Sequence, residues 1–293
     1  MVGESRIVII GNGFDLHHGL ESSYWHYKEW LKIAHPELLQ KLERHIDVDG
    51  EWWNDFERNL AAFDIQKLIK ECPRVYPRRD PRFPPSPSYP ANGFFNQLRK
   101  EITNSFVEWV NTLSFKNLRG CVELPEATLY ISFNYTETLE QVYGVPEDRI
   151  LYIHGKALRG DKLIFGHSKS DSEIEQVYMQ KHDLREMETF FDTGPVITDE
   201  EEQLALYISF FDKLPYTQIV RYSNVLMPAL NSSNEVICFG LSFSDVDFQY
   251  LEWIAEQKPN LHWRASWHNN EDQEREESFF HQMGITDYTL FEF

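Results

Sequence analysis

The chain has 293 residues, with 28 Lys and Arg against 47 Asp and Glu, a formal net charge of −19, and 15% aromatic side chains. That composition buries a sizeable core, while so acidic a surface disfavours sequence-independent contact with a phosphate backbone. No apolar run approaches the roughly 20 residues of a membrane span, residues 1–10 lack the layout of a secretory leader, and Cys72, Cys121 and Cys238 form neither a disulfide framework nor a zinc knuckle. A cytoplasmic protein without membrane contact is the expectation.

Arg6–Ile10 predicts the first strand, and it runs directly into Gly11-Asn12-Gly13. The next hundred residues exceed a single crossover helix and read as helical. Trp52, Phe56, Leu60 and Phe63 make one amphipathic stripe, and Phe95, Leu98, Ile102, Phe106, Trp109 and Leu113 make another. Between them, Pro73–Pro90 holds 7 of the 14 prolines together with Arg74, Arg78, Arg79 and Arg82, which predicts an extended strap. Strands follow at Thr128–Phe133, Ile150–Ile153, Lys162–Phe165 and Glu235–Phe239. Two more are predicted at His262–Trp267 and Tyr288–Phe293. Several are apolar throughout, as in a parallel sheet covered on both faces. Ser168–Pro215 reads as a second helical excursion. Leu251–Pro259 reads as a helix whose first turn carries Ser244, Asp245 and Asp247.

Ligands of open α/β sheets bind beyond the carboxyl ends of the strands. Gly11, Asn134, His154, Gly166 and Gly240 stand at five predicted strand ends. A Gly-x-Gly after a strand turns sharply and aims N–H groups at an anion. Leu16 breaks the longer dinucleotide fingerprint, so a plain tight turn is the competing reading. Asn134 and Thr136 also suit a strand-to-helix cap, as do Ser244 and Asp245. His17, Asp15 and His154 match no metal-ligand spacing, and no metal is expected.

The longer strings resemble the AbiH family of bacteriophage abortive-infection proteins. They are Gly11-Asn12-Gly13-Phe14-Asp15-Leu16-His17-His18-Gly19-Leu20 with Ser23-Tyr24, Trp53–Glu57, and Phe133-Asn134-Tyr135-Thr136 with Leu139-Glu140. Ile153-His154-Gly155, Phe165-Gly166-His167 and Gly240-Leu241-Ser242 with Asp245 and Asp247 complete the series. That layout is in turn similar to sirtuin-like NAD-consuming domains.

The resemblance implies an α/β fold with a Rossmann-like, sirtuin-like parallel sheet. Residues 1–20 and 128–293 would form the nucleotide-binding domain, and 21–127 a helical insert carrying the loop 73–90. It implies NAD as substrate, with Gly11, Asn12, Gly13 and Phe14 in the first cofactor loop and Gly240, Ser242 and Asp245 on the adenosine side. Asn134 would orient ribose and water, and His154 would be the base. Asp15 or Asp245 would steady positive charge or orient His154. The zinc cysteines of deacetylating sirtuins are absent, which argues against deacetylation. The implied function is phage defence by hydrolysis of NAD to nicotinamide and ADP-ribose. The alternative is a non-catalytic module that senses NAD or ADP-ribose. A small-molecule nucleotide is the expected partner, a nucleic acid is not, and the reading leaves room for a homo-oligomer.

Overall fold

The run Arg6–Ile10 (β1) is apolar on both faces because it lies at the centre of a sheet, where nearly every side chain is buried. The computed structural model describes residues 5–46, 52–60, 88–166 and 215–293. Within them, β1 is flanked by Leu129–Ser132 (β2) and Glu235–Phe239 (β4), with Ile150–Tyr152 (β3), His262–Trp267 (β5) and Tyr288–Glu292 (β6) completing a sheet of order β3-β2-β1-β4-β5-β6. Every pairing is parallel. This is the order of the doubly wound dinucleotide-binding sheet, whose direction of winding reverses between β1 and β4.

Alternation along β1 sorts the core. Ile7 and Ile9 join Val236, Cys238, Trp263 and Ala265 beneath Pro215–Ser232 (α7), Asp245–Gln257 (α8) and Asn270–Gln282 (α9). Val8 and Ile10 face the other way, with Phe14 of Asn12–His17 (α1) and Leu139 of Thr138–Tyr143 (α6). The Lys258 ammonium closes the end of α7 by donating to the carbonyls of Leu230 at 2.9 Å and Asn231 at 3.2 Å, and to that of Ser233. Cations at a helix carboxyl terminus satisfy its last acceptors and its dipole together.

Two compact units divide the chain. One holds the sheet and comprises Met1–Tyr27, Val107–Ile164 and Leu214–Phe293; the other comprises Lys28–Phe106 and Phe165–Lys213. The stretch 21–127 is therefore shared between them. Helices Tyr24–Ala34 (α2), Pro36–His45 (α3), Phe56–Asn59 (α4, after a 3-10 turn at Trp52–Asp55) and Ser88–Thr112 (α5) lie in that stretch. The predicted stripe on α5 is buried at Leu98, Ile102, Phe106 and Trp109. Trp52, Phe56 and Leu60 are buried too, with Trp53 stacked on Phe56 at 5.3 Å. In the second unit, Lys41 pairs with Glu101 at 2.9 Å, and the Gly166 N–H donates to Glu57 at 3.3 Å.

Two expectations change. Lys162–Phe165 is not a strand. Gly155 and Gly160, both at positive φ, bring the chain back after β3, and Ile164 bonds to loop partners instead of a ladder: its N–H donates to the His154 carbonyl and its own carbonyl accepts Tyr135, each at 2.9 Å. The strap is also shorter at its end, since α5 already begins at Ser88. Pro90 sits in the first turn, where a missing N–H costs nothing. The rest of the strap, Phe63, Cys72, His167 and most of 168–215 lie outside the described residues.

Candidate functional site

The register aligns Ile10 with Ser132 on one side and Phe239 on the other, so β1, β2 and β4 finish at the same level. The loops that follow meet directly. Gly11 N–H donates to the Phe239 carbonyl at 3.0 Å, and Gly13 N–H donates to the Gly240 carbonyl at 2.8 Å. No side chain fits between these loops: a Cβ on Gly11 would stand 2.6 Å from the Gly240 oxygen, and one on Gly240 would stand 2.1 Å from the Phe14 nitrogen. Gly240 also has φ +58, a conformation that side chains disfavour. Contact between loops thus accounts for the glycines, and it commits the Gly11 and Gly13 N–H groups to protein acceptors.

Asn134 bridges β2 to the same turn. Its Nδ2 donates to the Gly11 carbonyl at 2.9 Å, and its own N–H donates to Ser132 Oγ at 3.2 Å. Neither Asn134 nor Thr136 caps a helix; α6 starts at Thr138 with Glu137 in the cap position and no side-chain cap bond. The Thr136 hydroxyl donates instead to Asp15 Oδ2. Asp15 is 0% exposed, and burial pushes its carboxyl up to about 6, against the stabilising pull of Thr136, Thr138 and Asn134.

His154 follows β3 and is 1% exposed. Its Nδ1 lies 3.3 Å from the Phe133 carbonyl, and its ring is boxed by Phe133 at 5.2 Å, Tyr250 at 5.4 Å and Tyr135 at 6.2 Å. In this seat the imidazole is shut from solvent, as the side chains of Asn134 and Asp15 are. Phe14 is a core side chain as well, ringed by His18 at 4.4 Å, Tyr143 at 5.8 Å and Phe239 at 6.2 Å. Asn12 is exposed, and its Oδ1 accepts the Ser22 hydroxyl at 2.7 Å. Ser242 is exposed on the β4–α8 loop and Asp245 is exposed at the first position of α8; the Ser242 carbonyl accepts Arg275 Nε at 3.0 Å and its hydroxyl donates to Ser244 at 3.1 Å. Phe243 of this loop has φ +49, so the backbone there is strained.

Next to the turn that carries His154, Lys156 is almost fully buried and reaches Glu137 at 2.6 Å, Glu140 at 3.0 Å and Glu147 at 3.6 Å. Burial acts to lower the pKa of Lys156, but its bonds to Glu137 and Glu140 prevail and raise it. Tyr152 donates to Glu140 at 2.5 Å, and burial with that carboxylate pushes its phenol well up. This lattice pins the β3 end to α6. The His18 ring ties α1 to α6 in the same manner, with Nδ1–H donating to the Phe14 carbonyl at 2.7 Å and Nε2 accepting the Tyr143 hydroxyl at 2.5 Å. A groove of about 1080 Å³, lined by Arg6, His17, Phe239, Arg264 and Phe293 among others, includes none of Asp15, Asn134 and His154. Among the described residues, no group of three or more His, Cys, Asp or Glu side chains is placed to hold a metal ion.

The family model described as "Bacteriophage abortive infection AbiH" matches residues 7–267. The chain belongs to this family. The match takes in β1 to β5, and with them Gly11, Asp15, Asn134, His154 and Gly240. No curated protein matches the chain. No helix among the described residues is long and apolar enough to cross a membrane.

Sequence reasoning named Asp15, Asn134, Gly11, Gly13 and Gly240, and the fold brings these five together. It assigned Thr136 no part beyond capping and missed Tyr250, which closes over His154. The sequence signal for Thr136 was its place two residues beyond Asn134 in a family string. Tyr250 lies about a hundred residues from His154 and offers no local signal.

Proposed function

We propose that this abortive-infection protein acts through a dinucleotide, NAD, bound at the reversal between β1 and β4. One observation carries the reading. In a parallel sheet of order β3-β2-β1-β4-β5-β6, the loops after β1 and β4 meet at the crevice where such sheets take dinucleotides, and Asn134 and Asp15 stand beside them. The family string that starts at Gly11, and the likeness of the motif layout to sirtuin-like domains, support NAD over other nucleotides.

Two outcomes follow from such a complex. In the first, NAD is hydrolysed to nicotinamide and ADP-ribose: the bond from ribose to the pyridine breaks, the leaving group departs neutral, and a water adds to the sugar carbon as it gives up a proton. Asn134 orients ribose and water, Asp15 steadies the developing positive charge, and His154 takes the proton once the rings of Phe133 and Tyr250 part from it. In the second, the nucleotide is sensed without cleavage. The closed seat of His154 favours this second outcome for the arrangement described here.

The test pairs thermal shift against NAD, ADP-ribose and ATP with an assay of nicotinamide release. Stabilisation by NAD with release that His154→Ala or Asn134→Ala abolishes supports hydrolysis. Stabilisation without release supports sensing. A melting temperature that none of the three moves refutes the nucleotide reading.

A further inference from the structure

The packing of the loops leaves one atom of Asp15 unexplained. Oδ2 accepts the Thr136 hydroxyl, whereas Oδ1 is buried and accepts no hydrogen bond among the described residues, although Thr138 and Asn134 stand near enough to steady the carboxylate. A fully buried carboxylate oxygen without a donor is costly, and native proteins keep one where a water, a proton or a ligand completes it. Position narrows the choice. Asp15 stands just past the carboxyl end of β1, beside Asn134 and Thr136 at the end of β2, on the side of the sheet ends where ligands enter.

Chemistry narrows it further. An ionised carboxylate repels phosphate, so a diphosphate does not rest against Asp15. A cation would meet a single carboxylate among the neutral side chains Asn134, Thr136 and Thr138. A neutral O–H donor completes Oδ1 without a surplus of either sign.

We infer that Asp15 Oδ1 is the acceptor for a ribose hydroxyl of the bound nucleotide, so that the site takes ribosyl over deoxyribosyl ligands and binds them with this carboxylate ionised. The inference rests on the nucleotide reading above. It orients the ligand, placing a sugar over the ends of β1 and β2 and directing the phosphates toward the β4 loop. It also couples binding to a proton, since burial raises Asp15 to about 6 and ligand then binds better as pH rises through that value. The side chains that act on its charge are the neutral Thr136, Thr138 and Asn134, and among titratable groups Tyr152 is coupled to it. The phenol of Tyr152 is itself pushed up in part by the charge on Asp15.

Calorimetric titration of the full chain with NAD between pH 5 and 8 tests the assignment, alongside NAD analogues lacking the 2′-hydroxyl on either ribose. A midpoint of about 6 takes Asp15 from about one-tenth to nine-tenths ionised between pH 5 and 7, so Kd should tighten about tenfold over that interval. Asp15→Asn should bind NAD roughly 10- to 100-fold more weakly at pH 7 and show a flat profile. One of the two analogues should bind at least about tenfold more weakly than NAD. Thr136→Val keeps the carboxylate but removes a donor that stabilises its anion, so its midpoint should move up; this variant also carries the test if Asp15→Asn fails to fold. Equal profiles in wild type and Asp15→Asn, an unmoved midpoint in Thr136→Val, or full affinity for both analogues each overturn the assignment while leaving nucleotide binding intact. Failure of wild type to bind NAD, ADP-ribose or ATP at any pH overturns the nucleotide reading and this inference with it.

Discussion

Replacing Glu276 by Gln should stabilise the protein, and by more at neutral pH than in mild acid. Glu276 lies on α9, is 0% exposed, and neither carboxylate oxygen has a hydrogen-bond partner among the described residues. Burial pushes its pKa from an ordinary 4.5 up to about 8; Asp272 and Glu277 add to the rise and Arg275 opposes it. Below pH 4.5 both the folded and unfolded chains hold the proton. Between 4.5 and 8 the folded chain keeps a proton that the unfolded chain has released, so unfolding becomes easier by roughly 1.4 kcal/mol per pH unit. The stabilisation is thus complete below the unfolded value and lost as pH rises through the folded one. Over the two units from pH 5.5 to 7.5 the loss is roughly 2–3 kcal/mol. Gln keeps the shape and does not titrate, so its advantage over wild type should widen by that amount, which is roughly 3–5 °C in Tm at this chain length. Parallel melting curves at pH 5.5, 6.5 and 7.5 supply the measurement. The titration of Asp15 is common to both proteins and cancels in the difference. A gap between the two proteins that stays constant with pH would refute the reasoning, because it would mean that the folded Glu276 is ionised throughout.

Other substitutions probe the joints of the fold. Gly240→Ala should cost at least about 2–3 kcal/mol and lower soluble yield, because it combines a positive φ with a Cβ 2.1 Å from the Phe14 nitrogen; urea denaturation measures it, and a midpoint within error of wild type would mean that the two loops are not in contact. Lys156→Met should destabilise by about 3–5 kcal/mol, since it leaves Glu137 and Glu140 facing one another without their cation; much of that loss should be recovered in the triple variant with Glu137→Gln and Glu140→Gln. Lys258→Met should cost about 1–3 kcal/mol by uncapping α7, an effect visible in the same denaturation series. Cys238 should resist alkylation in the folded state, because burial and then the nearby Glu276 push its thiol well up, whereas the exposed Cys121 should react; mass spectrometry after a short pulse of iodoacetamide distinguishes the two.

The strands were legible where both faces are covered. Arg6–Ile10, Glu235–Phe239 and His262–Trp267 were read with the ends the structure gives them. Lys162–Phe165 has the same apolar look but forms no ladder, and sequence has no means of counting available ladder partners. Pairing is a property of the neighbour, which for Ile164 turned out to be a returning loop.

The candidate site divides along the same line. That Gly11, Asn134, His154 and Gly240 end strands was readable from local pattern, and the shared level of those ends follows from a parallel sheet. What each residue touches was not readable. Gly13 looked like an opening for an anion, yet its N–H serves Gly240, more than two hundred residues further along the chain. Phe14 looked like part of a ligand loop and is core.

Glu276 is the instructive opposite. It sits in a string so charged, Asn270–Glu277, that composition suggests a solvated face. Yet it precedes Phe279 and Phe280 by three and four residues, the spacing that turns all three to one side of a helix, and all three are buried. Periodicity outranks polarity there because two large aromatic rings gain more by facing Trp263 than one protonated carboxyl loses by going with them. The same weighing applies to Asp15, drawn inward by Phe14 beside it. In each case a buried carboxyl lies close in sequence to a buried aromatic side chain; Asp15 differs in standing at the strand ends where a ligand can complete it.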